Sequence, residues 1–290
     1  MTRHFELPDG IDDARALARR ALAEDGVTDT TSELVGAQGL IATGHVVLRG
    51  DAVIAGLGFA EEVALLAGLA PVDWLYEDGT SVSAGTTIGR VSGDLAAVLR
   101  AERPLLNMLQ RACGIATLTR KFVDAVAGTD CRILHTRKTA PGLRALDVSA
   151  VLAGGGSLHR VGLATQVLFK DNHWHALERR KMELVQTVAE ARQRGISQIY
   201  VEVETRDQVA EAAAAGATRL LVDNQTPARF AEWCAVAKNC NPDVEMEASG
   251  GITLEIVRDY AIAGADFVSV GALTHSVAAA DLALDIEAEK

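Results

Sequence analysis

From about residue 115 onward the chain keeps one rhythm: a short apolar run, then a longer amphipathic one, repeated. The apolar runs are CRILHT, QVLFK, IYVEVE, RLLVDN, VEMEAS and FVSVGA, the last four starting near 199, 219, 244 and 267. A repeat of roughly 20 to 25 residues is the length of one strand plus one helix. The spacing predicts helices such as 178–194, 206–215, 227–238 and 253–263. Strands joined this way run parallel, so a parallel α/β barrel, closed or incomplete, is expected. A doubly wound open sheet is the rival. No GxGxxG follows a strand, however, and AGGGS (153–157) lacks the Lys-Ser/Thr of a phosphate loop.

Before residue 115 the elements are mixed. Residues 11–24 alternate apolar and charged groups at helical spacing, and EEVALLAGL is a short helix. Residues 40–56 and 72–93 read as short strands broken by Gly and Asp-Gly turns. Residues 94–114 are helical, with Asp94 as N-cap and Pro104 expected to kink the helix or mark a second start.

Composition narrows the function. The chain has 28 Lys+Arg against 39 Asp+Glu, a formal net charge of −11. That argues against a nucleic-acid surface, which needs a broad basic face. No apolar run is long enough to span a membrane, and MTRHFELPDGIDDAR is unlike a secretory signal. The four cysteines form no CxxC pair and are expected to be reduced thiols of a cytoplasmic protein. Against this acidic background HTRKTAPGLR (135–144) concentrates His135, Arg137, Lys138 and Arg144, followed by His159-Arg160 and Lys170. Such a local knot suggests a small anionic ligand.

Each expected strand also ends in a chemically capable residue: Arg137 and Lys138, Lys170, Glu202 and Glu204, Asp223, then Glu247 and Ser249 with Gly250 and Gly251, and finally Gly271. In a parallel barrel those ends share one rim, where catalytic groups gather. Glu202 and Glu204 are two apart and are expected to share an inward face opposite Val201 and Val203. Gly250 and Gly251 precede a helix expected near Thr253, and Gly271 holds the equivalent place one strand later. Such turns suit a phosphate. Lys170 at a strand end leaves a Schiff-base lyase open.

The pieces TRKTAPGLR, GGGSLHRVGL and KDNH, with AERPLLNMLQRACGIAT before them and VEVE, VDN, EASGGI and VSVGALTHS after them, resemble the quinolinate phosphoribosyltransferase family. The resemblance runs from about 20 to 277. It implies an N-terminal α/β sandwich domain (1–114) and an open parallel α/β barrel (115–275), with residues 276–290 returning to the first domain. It implies transfer of phosphoribose from phosphoribosyl pyrophosphate to quinolinate with decarboxylation, and a requirement for magnesium. By position in the motifs, Arg137, His159, Arg160 and, from the partner of a homodimer, Arg103 would hold the dicarboxylate. Lys138 and Lys170 would face the reacting centre and diphosphate. Glu202 and Asp223 would face the ribose hydroxyls and magnesium, and Ser249, Gly250, Gly251 and Gly271 the 5′-phosphate. The chain departs from the family at His135, where aspartate is usual, in EDGVTDTTS (24–32), at Pro104 and Cys113, and at Gln225. A paralogue acting on another pyridine carboxylate, or a non-catalytic sensor of phosphorylated sugars, remains an alternative.

Overall fold

The computed structural model describes residues 10–26, 28–164 and 166–288. In chain order the elements are α1 (Gly10–Glu24), α2 (Thr30–Leu34), β1 (Ile41–Leu48), β2 (Ala52–Val53), α3 (Leu57–Leu66), β3 (Asp73–Trp74), β4 (Ser81–Val82), β5 (Thr87–Asp94) and α4 (Leu95–Ala125). There follow β6 (Arg132–Leu134), α5 (Arg144–Ala153), β7 (Val167–Phe169), α6 (Asp171–Arg180), α7 (Leu184–Gln193), β8 (Ile199–Val203) and α8 (Arg206–Ala214). The chain closes with β9 (Arg219–Asp223), α9 (Pro227–Cys240), β10 (Glu245–Ser249), α10 (Val257–Ile262), β11 (Phe267–Ser269), α11 (Ala272–His275) and β12 (Leu282–Ala288). No described helix is long and apolar enough to cross a membrane.

Two compact units share the chain. The first comprises residues up to Arg120, Lys138–Gly156 and the residues from Ala272 on; the second comprises Lys121–Arg137 and Ser157–Gly271. In the first, a sheet of order β12-β1-β5-β3 is antiparallel throughout. Ala42, Val46 and Leu48 of β1 are fully buried, as a half-covered strand requires. Asp94 caps α4, its Oδ1 accepting from the amides of Ala96 and Ala97 at 3.0 and 3.4 Å. Pro104 does not open a second helix: α4 runs unbroken through it. Leu105, Leu106 and Leu109 beyond it are almost wholly buried, and that packing outweighs the one hydrogen bond proline removes.

The second unit holds a six-stranded parallel sheet of order β6-β11-β10-β9-β8-β7. From β7 to β11 each strand lies beside its predecessor, while the earliest strand, β6, lies beside the last. On β6's other side Leu134 bridges Ser157 in parallel. This is the cyclic order of a barrel left open next to β7. On β8 the outward Ile199, Val201 and Val203 are fully buried, and Tyr200 and Glu202 occupy the opposite face. The rival doubly wound arrangement, with its strand-order reversal, is absent from this sheet.

Three expectations need correction. The helix foreseen over 178–194 is two helices, because Lys181 adopts a left-handed φ of 53° and ends α6. Glu204 is not inside the barrel. It lies one residue beyond β8 and is exposed, because a capping box at Thr205 and Gln208 starts the next helix there. The helix expected over 253–263 is regular only over Val257–Ile262, so no helix begins directly after Gly250 and Gly251.

Candidate active site

Because all six strands of the second unit are parallel, their C-terminal ends share one rim. Arg137 follows β6, Lys170 follows β7, Glu202 is the penultimate residue of β8, Asp223 and Ser249 end β9 and β10, and Gly271 follows β11. His159 and Arg160 join them just after the Ser157 bridge.

Arg160 and His159 are each 9% exposed. Burial, and next the charge of Arg137, push the Arg160 guanidinium below its usual range, while Glu202 pulls the other way. The Nε of Arg137 is buried and makes no hydrogen bond. Two arginines that feel each other's charge, one with an orphaned buried donor, suit a planar anion such as a carboxylate. His135 is fully buried; its Nε2 accepts from the His159 amide at 3.0 Å, and its Nδ1 lies 3.2 Å from the Thr136 carbonyl. The residue that departs from the family pattern therefore ties down the backbone of its neighbours.

Lys170 and Glu202 form an ion pair. Trp174 Nε1 donates to the Glu202 carbonyl at 2.9 Å, and the Lys170 amide donates to His173 Nδ1 at 2.9 Å. His173 thus caps α6. Asp223, half-buried, accepts from Asn224 Nδ2 at 2.6 Å. The turn after β9 docks on the end of β10: the Asn224 amide donates to the Ser249 carbonyl at 2.9 Å. Gly250 has φ 92°, and a Cβ there would lie 2.2 Å from Asn224 Oδ1. Gly251 has φ 61° and open space around it. Close approach and positive φ both demand glycine, and the backbone left bare beside Ser249 can meet an anion.

Sequence reasoning passed over Arg219. It enters the barrel below the rim, 3.6 Å over the Phe267 ring and 4.5 Å over that of Tyr200. It donates to Glu245 at 3.0 and 2.8 Å and to Glu247 at 3.1 Å. Glu247 is fully buried and accepts from Ser269 Oγ. Burial opposes its ionisation, but His159, Arg219 and Ser269 outweigh that and hold the carboxyl below its ordinary range. The alternation Arg219, Leu221, Asp223 already put Arg219 on the inward face.

Lys138 and Arg103 belong to the first unit. Lys138, next in the chain to Arg137, is exposed, and its carbonyl accepts from Thr274 Oγ1 at 2.8 Å. The loop after it is anchored by Asp147, fully buried, which pairs with Arg111 at 2.7 and 2.8 Å and accepts from the Ala140 amide at 3.1 Å. The Arg103 side chain is 59% exposed, 3.6 Å from Glu102.

Comparison with known proteins identifies the family. Residues 29–113 match the N-terminal domain of quinolinate phosphoribosyl transferase, and residues 115–285 its C-terminal domain. The carboxylating nicotinate-nucleotide pyrophosphorylase of Mycobacterium leprae is 40% identical over 95% of this chain and 98% of its own length. The chloroplastic enzyme of that name from Arabidopsis thaliana is 38% identical over 96% of this chain and 84% of its own. The solved nicotinate-nucleotide pyrophosphorylase of Francisella tularensis superposes with a TM-score of 0.85 at 32% identity, covering 96% of this chain and 97% of that one. Matched in both of its halves, the chain belongs to the quinolinate phosphoribosyl transferase family.

Proposed function

We propose that the protein transfers phosphoribose from phosphoribosyl pyrophosphate to the ring nitrogen of quinolinate, with loss of one carboxylate as carbon dioxide. The products are nicotinate mononucleotide, pyrophosphate and carbon dioxide, a step of NAD synthesis. The observation that carries this reading is the placing of Arg137 and Arg160 on one rim, each feeling the other's charge, with an unpartnered buried Nε on the former. Like charges held together at the edge of a barrel are at ease only around an anion, and quinolinate brings two adjacent carboxylates.

In this reading Arg137, His159 and Arg160 orient the diacid, and Lys138 and Lys170 meet the diphosphate. Ser249, Gly250, Gly251 and Gly271 receive the 5′-phosphate through short polar groups and backbone. Glu202 and Asp223 face the ribose and stabilise the positive charge that grows on C1 as the diphosphate leaves. The ring nitrogen then attacks C1. Once ribosylated it is cationic and stabilises the electron pair that stays on C2 as the bond to the carboxylate breaks; carbon dioxide departs, a proton from solvent takes that pair, and no organic cofactor is needed. Orientation and fixed charge supply the rate.

Magnesium fits the donor set only in company with the substrate. Among the described residues no three His, Cys, Asp or Glu gather to hold an ion alone. Magnesium typically keeps waters and uses one or two carboxylates plus phosphates, for which Glu202 and Asp223 suffice. When bound, it would offset charge on the departing diphosphate. The reading includes a homodimer in which Arg103 reaches the neighbouring site; the exposure of that side chain supports it. It includes a cytoplasmic setting, with which the unpaired cysteines accord. It includes no nucleic acid or membrane, in keeping with the net charge of −11.

The test is product detection with quinolinate, phosphoribosyl pyrophosphate and magnesium, with nicotinate as the control acceptor. Nicotinate mononucleotide and labelled carbon dioxide from quinolinate are expected. Turnover of nicotinate alone would point to the paralogue, and no turnover of either would end the reading.

A further inference from the structure

His159 has three polar contacts, and each constrains the next. Its Nδ1 accepts from the Arg160 amide at 2.7 Å, so Nδ1 is unprotonated. Its own amide donates to His135 Nε2 at 3.0 Å. Its Nε2 is buried, makes no well-aligned hydrogen bond, and lies 3.4 Å from Glu247 Oε2. That carboxylate is fixed from two further sides, by Arg219 and by Ser269. Arg219 is fixed in turn between the Phe267 and Tyr200 rings and by Glu245. The chain of contacts therefore starts in the barrel interior and ends at the backbone that projects Arg160 onto the rim.

We infer that Glu247, braced by Arg219, is a positioning residue for dicarboxylate binding: it selects the Nε2–H form of His159, which leaves Nδ1 free to hold the Arg160 amide and so aims Arg160 at its ligand. A carboxylate only accepts hydrogen bonds, so it favours a proton on the facing nitrogen. An amide in its place can turn its NH2 toward Nε2 and favour the other tautomer. A proton on Nδ1 would then oppose the Arg160 amide, and the backbone at 159–160 would have to shift. Neither Glu247 nor Arg219 needs to touch substrate for this to act. The effect should fall on the diacid and spare the sugar phosphate, whose proposed contacts do not include Arg160.

This rests on the reading of the rim as a quinolinate site, so the experiment has two arms. In the first, Glu247→Gln is compared with the parent in steady-state kinetics. KM for quinolinate should rise roughly tenfold, about 1.4 kcal/mol, with KM for phosphoribosyl pyrophosphate within twofold. In the second, nitrogen-15 histidine spectra of the parent, with His159 assigned by its loss in His159→Asn, should show protonated Nε2 and bare Nδ1. An unchanged quinolinate KM in a folded variant, or equal losses for both substrates, would overturn the inference. So would a His159 carrying a proton on Nδ1. The spectra need no turnover and do not depend on Glu247→Gln. An inactive parent with the expected tautomer would thus remove the substrate assignment and keep the positioning contact.

Discussion

Replacing Gly250 with alanine tests the most sharply defined contact of the rim. The residue sits at φ 92°, where an L side chain costs about 1–2 kcal/mol. The added Cβ would stand 2.2 Å from Asn224 Oδ1 and 2.8 Å from the Asn224 amide nitrogen. The Asn224 side chain can swing away, but only by giving up its 2.6 Å bond to Asp223, worth about 1 kcal/mol. The backbone nitrogen cannot retreat without stretching its 2.9 Å bond to the Ser249 carbonyl, an overpacking penalty of about 1–3 kcal/mol. The combined cost is about 3–6 kcal/mol, or a fall in Tm of roughly 10 °C for a chain of this size. Gly251→Ala is the internal control. Its φ is 61° but nothing lies within 4 Å, so only the backbone term of about 1–2 kcal/mol applies. Scanning calorimetry should rank parent, Gly251→Ala and Gly250→Ala in falling order. The KM for phosphoribosyl pyrophosphate should rise at least tenfold in Gly250→Ala while that for quinolinate moves little. A Gly250→Ala protein melting within about 2 °C of the parent would refute the close approach on which this rests.

Further outcomes follow from other contacts. Lys170→Ala should lower kcat by roughly 10²–10³ while circular dichroism stays native, since it removes a cation from the proposed reacting centre; product formation at the parental rate would end that role. Mixed oligomers of Arg103→Ala and Lys170→Ala should recover about a quarter of parental activity, because half of the dimers are mixed and each keeps one intact site; no recovery after verified subunit exchange would count against a shared site. Burial pushes the thiols of Cys113, Cys131 and Cys234 up to about 12, while Cys240 is exposed, so native protein at pH 8 should titrate one fast thiol and denatured protein four. Rapid reaction of a second thiol would show that one of those three sites is open.

The barrel and its rim were legible because strand–helix repetition leaves a periodic trace, and because a parallel sheet brings every strand's C-terminal residue to one side. That alone placed Arg137, Lys170, Glu202, Asp223 and Ser249 together. What is not legible depends on contacts distant in sequence. Nothing local announces that Lys181 takes a left-handed conformation and divides a helix, since glycine is the usual marker there. The expulsion of Glu204 was readable in principle, as Thr205 and Gln208 have the spacing of a capping box. Arg219 gives no such signal, because a charge at the start of an apolar strand resembles a solvated end. Only the neighbouring Glu245 and Glu247, and the Phe267 ring against which it stacks, make the interior position tolerable.

The pairing of β12 with β1 has a consequence for biosynthesis. Ile41–Leu48 is synthesised long before its partner Leu282–Ala288. At ordinary elongation rates the interval is on the order of ten to fifty seconds. Throughout it one flank of β1 has unmet amide and carbonyl groups, which invites pairing with other nascent chains. A chain halted before Leu282 would leave that flank open permanently, so the arrival of β12 seals the sheet against intermolecular pairing.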